Sequence, residues 1–452
     1  MRTHICAAVA LLLIAAPGIA QAQCELVRSG ESSGSNGGQI LVISNGFFQC
    51  RDGKKLSADQ VVVDKTSDIM SLYGNVKYSD GEKGLTSTNA VWMRQTSLLQ
   101  ARGQVVVTDV KTGSRIYAPN LDYYQKSKNQ TSRMNTFGGR GHVVMKQAPK
   151  TGGAAASNPN DSSIVDADII EIIGERTFRG SGNASIARSD LKGYANQVEY
   201  DQDKGTLLLA TNARIDGDKY DLTGDTISAL APEGQQLREV RASRNALLTS
   251  EQVNVESPFL RIYLDSGVVN RMVATRPAAS AGRGPVSLPR VLSKAFNVSA
   301  DSIDAIAPRQ QLERVTAIGH AFGERIDTMP PPAAAAALPN VLTNDWLRGD
   351  TLRAEFVENP EAKPDSAGRR ERMLQLITAH GIPGLGQSAS SALRMREPND
   401  STWRIYYTLA DRIKVSFSKG AVLKVDLDGN VRGVFLSPVG AVAVDPKRKG
   451  GS

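Results

Sequence analysis

The sequence predicts an all-β fold, an elongated sandwich built from about ten two-strand repeats. Three observations carry that expectation. Two short blocks alternate from Ala58 almost to the C-terminus, each with the two-residue apolar alternation of a half-buried strand, and no stretch keeps apolar residues at helical spacing.

Residues 1–22 read as a secretory leader to be removed. Arg2 supplies the positive start, Ile5 to Ala16 the apolar run, and Ala20-Gln21-Ala22 the small-x-small cleavage pattern. The apolar run is far shorter than the ~20 residues a membrane span requires. A soluble, exported protein is therefore expected. Cys6 leaves with the leader, so Cys24 and Cys50 remain as an even pair in an oxidising compartment. They read either as a disulfide across residues 23–55, worth ~3 kcal/mol in the chain-entropy model, or as two unpaired thiols.

A first strand is expected over Leu41 to Phe48. The first block then opens at Ala58-Asp59-Gln60-Val61-Val62-Val63 and returns at Ser87, Ala118, Ala167, Ala195, Gly224, Ser257, Ala300, Gly349 and Ala410. The second block is a small residue, an amide or imidazole, then a small or β-branched residue. It stands at Gly74-Asn75-Val76 and Gly103-Gln104-Val105, then around His142, Asn183, Asn212, Asn245, His320, His380 and Asn430, with a weakened copy at Arg271 to Pro277. Leu72, Gly74, Val76 and Tyr78 share one parity, as do Leu99, Ala101, Gly103, Val105 and Val107. The recurrent Gly or Ala suits a tight bend.

Longer intervals coincide with insertions at Gln147 to Ser163, Pro277 to Pro289, Met329 to Pro339, Asn359 to Gly368 and Gly381 to Asp400, which read as loops by composition. Any helix is expected only in these loops or in Arg369 to Thr378. The domain reading is residues 56–276 as the regular repeats, 277–290 as a loop, 291–440 as a divergent continuation and 441–452 as a basic tail. A stack of this kind has open strand edges at its ends, which are either capped or recruit another chain by strand addition.

The chain has a net charge of +8, with 22 % charged and 5 % aromatic residues, which fits a globular protein. The charge reads either as a dispersed solvated surface plus the tail Lys447-Arg448-Lys449 or as basic residues placed to attract phosphorylated headgroups. His142, His320 and His380 occupy a slot held elsewhere by Asn or Gln, so they read as structural rather than metal-binding. No nucleotide fingerprint, zinc spacing or catalytic constellation stands out, and no cofactor, enzymatic activity or nucleic-acid partner is expected.

The order small-Asp/Asn-x-apolar followed by Gly-Asn-Val, cycling about every thirty residues behind a secretory leader, resembles the OstA-like family of periplasmic lipopolysaccharide-transport proteins, LptA and the N-terminal domain of LptD. The resemblance covers Leu56 to Tyr124 and, in weaker form, Ile164 to Ser228. It implies a V-shaped β-jellyroll whose two sheets part to hold lipid acyl chains in an apolar groove during transport to the outer membrane. By that resemblance the lipid contacts are Val61, Val63, Leu72, Val76, Tyr78, Val91, Val105, Val107, Leu121, Tyr123, Val198, Tyr200 and Leu209. It also implies lipopolysaccharide or a related envelope lipid as ligand, and end-to-end strand addition with itself or other transport proteins. Read from the residues alone, the same positions are equally the closed core of a structural or adhesive β-repeat scaffold of the envelope.

Overall fold

The computed structural model describes residues 24–127, 129–146, 162–189, 191–217, 220–231, 237–250, 253–265, 268–277, 287–293, 296–326, 344–364, 368–396, 403–418 and 421–436. The leader, the basic tail and most of three insertions (at 147–161, 278–286 and 327–343) lie outside them. Among the described residues every regular element is a β-strand apart from three short 3-10 turns, and their strands pair antiparallel. The chain divides into two compact units, Met1–Gln130 and Thr131–Ser452. That division falls inside the run of repeats that the sequence presents as continuous.

The first unit holds β1 (Cys24–Arg28), β2 (Ser32–Ser35), β3 (Ile40–Cys50), β4 (Lys55–Asp64), β5 (Ile69–Ser79), β6 (Lys83–Met93), β7 (Leu98–Asp109) and β8 (Arg115–Tyr124). From β3 to β8 each strand pairs with the next, while β1 and β2 cover the two ends of β3. A disulfide joins Cys24 to Cys50, which face each other across β1 and β3.

Each long strand bends in the middle and so serves two sheets. In β5 the residues up to Tyr73 belong to what we call the front sheet, and those from Val76 onward to the back sheet. The ladder breaks between them, with Tyr73 opposite Asn89 and Val76 opposite Ser87. The bend is a two-residue left-handed corner. Gly74 and Asn75 have φ of 73° and 44°, a region costing most side chains ~1 kcal/mol and suited to Gly and Asn. The second block is therefore this corner. Its first residue must be small for a second reason: a Cβ on Gly74 would lie 2.5 Å from Asp59 Oδ2.

The second unit repeats the scheme over β9 (Arg133–Phe137), β10 (Gly141–Lys146), β11 (Ser162–Ala167), β12 (Ile169–Ile173), β13 (Thr177–Arg188), β14 (Leu191–Asp201), β15 (Thr206–Asp216), β16 (Tyr220–Leu230), β17 (Glu239–Ser250), β18 (Val253–Asp265), β19 (Val268–Thr275), β20 (Arg290–Ser293), β21 (Phe296–Ser299), β22 (Ser302–Ile306), β23 (Arg314–Arg325), β24 (Trp346–Glu358), β25 (Arg372–His380), β26 (Ala389–Arg396), β27 (Trp403–Ala410), β28 (Arg412–Ser418), β29 (Ala421–Asp428) and β30 (Arg432–Leu436). Left-handed pairs recur at Gly182-Asn183, Thr211-Asn212, Arg244-Asn245, Gly319-His320 and Gly429-Asn430.

Three local expectations are corrected. Residues Arg372–His380 form a strand where a helix stood open, because Leu374, Leu376 and Ile377 pair with β24 and β28. The insertion at Gly381 to Asp400 contains strand β26, whose Leu393 packs inward despite the Gly/Ser-rich flanks. The corner between β9 and β10 falls at Gly138-Gly139, both at positive φ, rather than at Gly141-His142.

The inner faces of the two sheets pack on each other within each unit. Leu72, Leu99 and Leu121 are fully buried in the first unit, as are Ile170, Leu209 and Ile227 in the second. Close to the corners the sheets nearly touch: a Cβ on Gly193 of the back sheet would lie 2.9 Å from the Leu209 side chain of the front sheet.

Candidate functional site

The corner ties the two blocks together chemically. Asn75 Nδ2 donates to Asp59 Oδ2 at 2.8 Å, Asn183 to Asp168 at 3.2 Å, Asn245 to Asp225 at 3.4 Å and Asn430 to Asp411 at 3.0 Å. His320 Nδ1 takes the same place against Asp301 at 3.0 Å. The amide and carboxylate of successive blocks are therefore one cross-strand pair. The sequence shows both residues in fixed alternation, which is the signal for this pairing, but does not by itself join them. His142 instead meets Asp166 across β10 and β11 at 2.7 Å. Among the described residues no group of three or more His, Cys, Asp or Glu could hold a metal ion.

Of the thirteen residues proposed as lipid contacts, eleven are buried side chains on the inner walls: Val61, Leu72, Val76, Tyr78, Val105, Val107, Leu121 and Tyr123 in the first unit, Val198, Tyr200 and Leu209 in the second. Val63 sits at the strand end and is half-buried. Val91 is corrected. At the first block the buried face steps by three residues, as from Ala58 to Val61, so in β6 the inward pair after Ser87 is Ala90 and Trp92 and Val91 faces outward. Trp92, like Met70 and Leu85, is a wall residue that the parity reading missed.

Opposite the corners, side chains join the two sheets. In the first unit Tyr123 comes from the front sheet and Tyr78 from the back sheet, and their rings meet edge to face at 6.2 Å. Both hydroxyls donate to Asp80 Oδ2, at 2.9 Å from Tyr123 and 3.3 Å from Tyr78. Burial, with Asp80 adjacent, pushes the Tyr78 hydroxyl well above the ordinary tyrosine value, so it stays a neutral donor. Beside this clasp the buried Lys83 ammonium meets Asp109 at 3.2 Å. Burial works to raise the Asp109 pKa, but donors from Thr112 and Lys83 outweigh it and hold the carboxyl below its usual range.

The second unit uses other groups at the same place. Arg188 of the back sheet donates to Tyr200 of the front sheet at 3.5 Å, and Gln202 approaches Met145 Sδ at 3.6 Å. Its front sheet also carries a shallow groove of about 460 Å³ on the outer face, over Ile169, Leu208 and Phe137. Arg133, Glu171, Arg179 and Glu199 line that groove as a cross-strand ion-pair ladder, with Arg179 3.3 Å from Glu199.

What the fold defines is a class: an all-β protein of two-strand repeats with cornered strands and a continuous apolar interior in each unit. No protein-family model and no curated protein matches the chain.

Proposed function

We propose that this chain is an exported, non-catalytic carrier or bridge that shelters the acyl chains of an envelope amphiphile between its two sheets. The resemblance of its repeats points to lipopolysaccharide on its way to the outer membrane, with the periplasm as the working compartment. One observation carries the reading. Each unit is hinged on one side by continuous backbone at the corners, while among the described residues only side-chain contacts join the sheets on the other. The Tyr123–Asp80–Tyr78 and Arg188–Tyr200 contacts can therefore part without breaking a strand ladder. Each methylene taken from water onto the inner walls contributes ~0.8 kcal/mol, which lowers the cost of moving a lipid through water.

The ends of the strand array support a further part of the reading. Among the described residues the exposed strand β30, with Val434 and Phe435 on its surface, pairs only with β27, and a partner strand would add there. The tight burial of the inner walls favours a second reading, the closed scaffold. Titrating the delipidated protein with a fluorescent acyl probe separates the two. Saturable binding, with photocrosslinking of lipid from Val76 or Val107, supports carriage, and an absence of saturable binding supports the scaffold.

A further inference from the structure

The clasp end of the first unit holds polar groups that its own packing leaves unanswered. Trp92 and Gln125 are each about 4 % exposed, and neither the indole Nε1 nor either atom of the Gln125 carboxamide has a hydrogen-bond partner. They lie on the same wall. Trp92 pairs with Leu99, Leu99 pairs with Tyr123, and Gln125 follows Tyr123 by two residues, with its backbone N–H on the Ser97 carbonyl at 2.9 Å. Trp92 stands across Leu99 from the tyrosine whose hydroxyl closes the clasp on Asp80, and Gln125 follows that tyrosine along its own chain segment. An unanswered buried amide normally destabilises a fold, so a partner that supplies its bonds would remove a standing cost.

We propose that Trp92 and Gln125 form a subsite for the amide group of an acyl-amide amphiphile, entered when the Tyr78–Asp80–Tyr123 clasp parts. The carboxamide of Gln125 both donates and accepts, which matches an amide's carbonyl and N–H together, and the Trp92 indole adds a second donor to the carbonyl. A free carboxylate is a poorer match. Asp80 and Asp109 stand at this rim, and the Lys83 ammonium there is paired with Asp109. The subsite deepens the carrier reading and rests on it.

The test uses the full exported chain and an apolar fluorophore, N-phenyl-1-naphthylamine, displaced by three competitors of similar chain length: N-methyldodecanamide, methyl dodecanoate and tridecane. The wild type should prefer the amide over the ester and the ester over the hydrocarbon. Gln125→Met should lower amide affinity about thirtyfold, the size of two lost hydrogen bonds, and leave tridecane unchanged. Trp92→Phe should weaken amide and ester alike. Gln125→Met should also raise the melting temperature of the unliganded protein, because it removes an unpaired buried amide; a purely structural glutamine would lower it. Equal displacement by all three competitors, or a Gln125→Met loss that is the same for tridecane, would overturn the subsite while leaving acyl carriage standing. Failure of the wild type to bind the fluorophore or any competitor would overturn the carrier reading itself.

Discussion

The front sheets of the two units have the same inner wall and opposite outer faces. In the first unit the outward row Val42, Val62, Ser71, Val91, Gln100, Asp122 starts apolar and ends polar, with Arg102 on Asp122, and runs beside a second, mostly apolar row, Ile40, Asp64, Ile69, Met93, Leu98, Tyr124, all half-buried. In the second unit the corresponding row reads Glu171, Arg179, Glu199, Leu208, Ser228, Arg241, Arg261, and salt bridges cross it from Arg133 to Glu171 and from Arg261 to Glu239. The repeat thus constrains the corner and the interior, where Asp–Asn pairs and buried apolar side chains recur. It leaves the outer face free to diverge, so differences in how the two units meet their surroundings belong to that face.

The comparison is broken most severely from inside. Leu72→Ala in the first unit and Leu209→Ala in the second each remove a fully buried side chain and should cost about 3 kcal/mol, read as lost hydrogen-exchange protection in the unit concerned. Unequal losses would mean that the two interiors are not packed alike. Cutting a buried ion pair should come close to this. Lys83→Ala leaves Asp109 with its Thr112 and Lys111 donors in the first unit, and Arg394→Ala leaves Asp345 with Arg325 at 3.8 Å and the backbone N–H of residue 394 in the second, so each should cost about 2 kcal/mol.

The corners come next. Gly74→Ala and Gly182→Ala both force a side chain into the left-handed region and to 2.5 Å from an aspartate oxygen, so each should lose about 2 kcal/mol. At Thr211 the chain already accepts a β-branched side chain at φ 66°, and Thr211→Val should cost well under ~1 kcal/mol.

The corner also marks how far the sequence could be read. The strands, their alternation and the bend were legible because period-two apolar patterning and recurrent Gly-Asn pairs are local signals. Val91 was misplaced because the buried face advances by three residues at each first block, a shift that comes from the bulge geometry and not from alternation. The Asp59–Asn75 partnership joins residues on neighbouring strands, and local patterning says nothing about which side chains meet there. Gln125 lies just past a strand end, where no pattern announces burial. The boundary at Gln130 falls where no insertion interrupts the repeats.

Titration separates the units more gently. The Tyr78 hydroxyl is raised by burial, so the neutral form is favoured in the fold. Its contribution is fully present below the ordinary tyrosine value near 10 and is lost as pH rises above it. Alkaline melting should therefore open the first unit before the second, and Tyr78→Phe should remove that difference. The carboxyls held low run the other way. Asp109, held by Thr112 and Lys83, and Glu239, held chiefly by the Arg241 guanidinium, stabilise at neutral pH and cease to do so as pH falls below about 4. The smallest effect is expected on the outer face. Arg179→Ala should change stability by under ~1 kcal/mol, and by less still in high salt, because its ladder is half-exposed.

The central claim is that the interior opens along the clasped side to admit an acyl chain while the corners stay intact. Its most direct measurement is site-specific photocrosslinking from Val107 on the inner wall and from Thr86 on the outward face of the back sheet, in protein isolated with its native lipids. The account expects lipid adducts from Val107 and none from Thr86, with the Val107 yield rising when Tyr123→Phe weakens the clasp. Equal adducts from both positions, or none from Val107 in either protein, would contradict it.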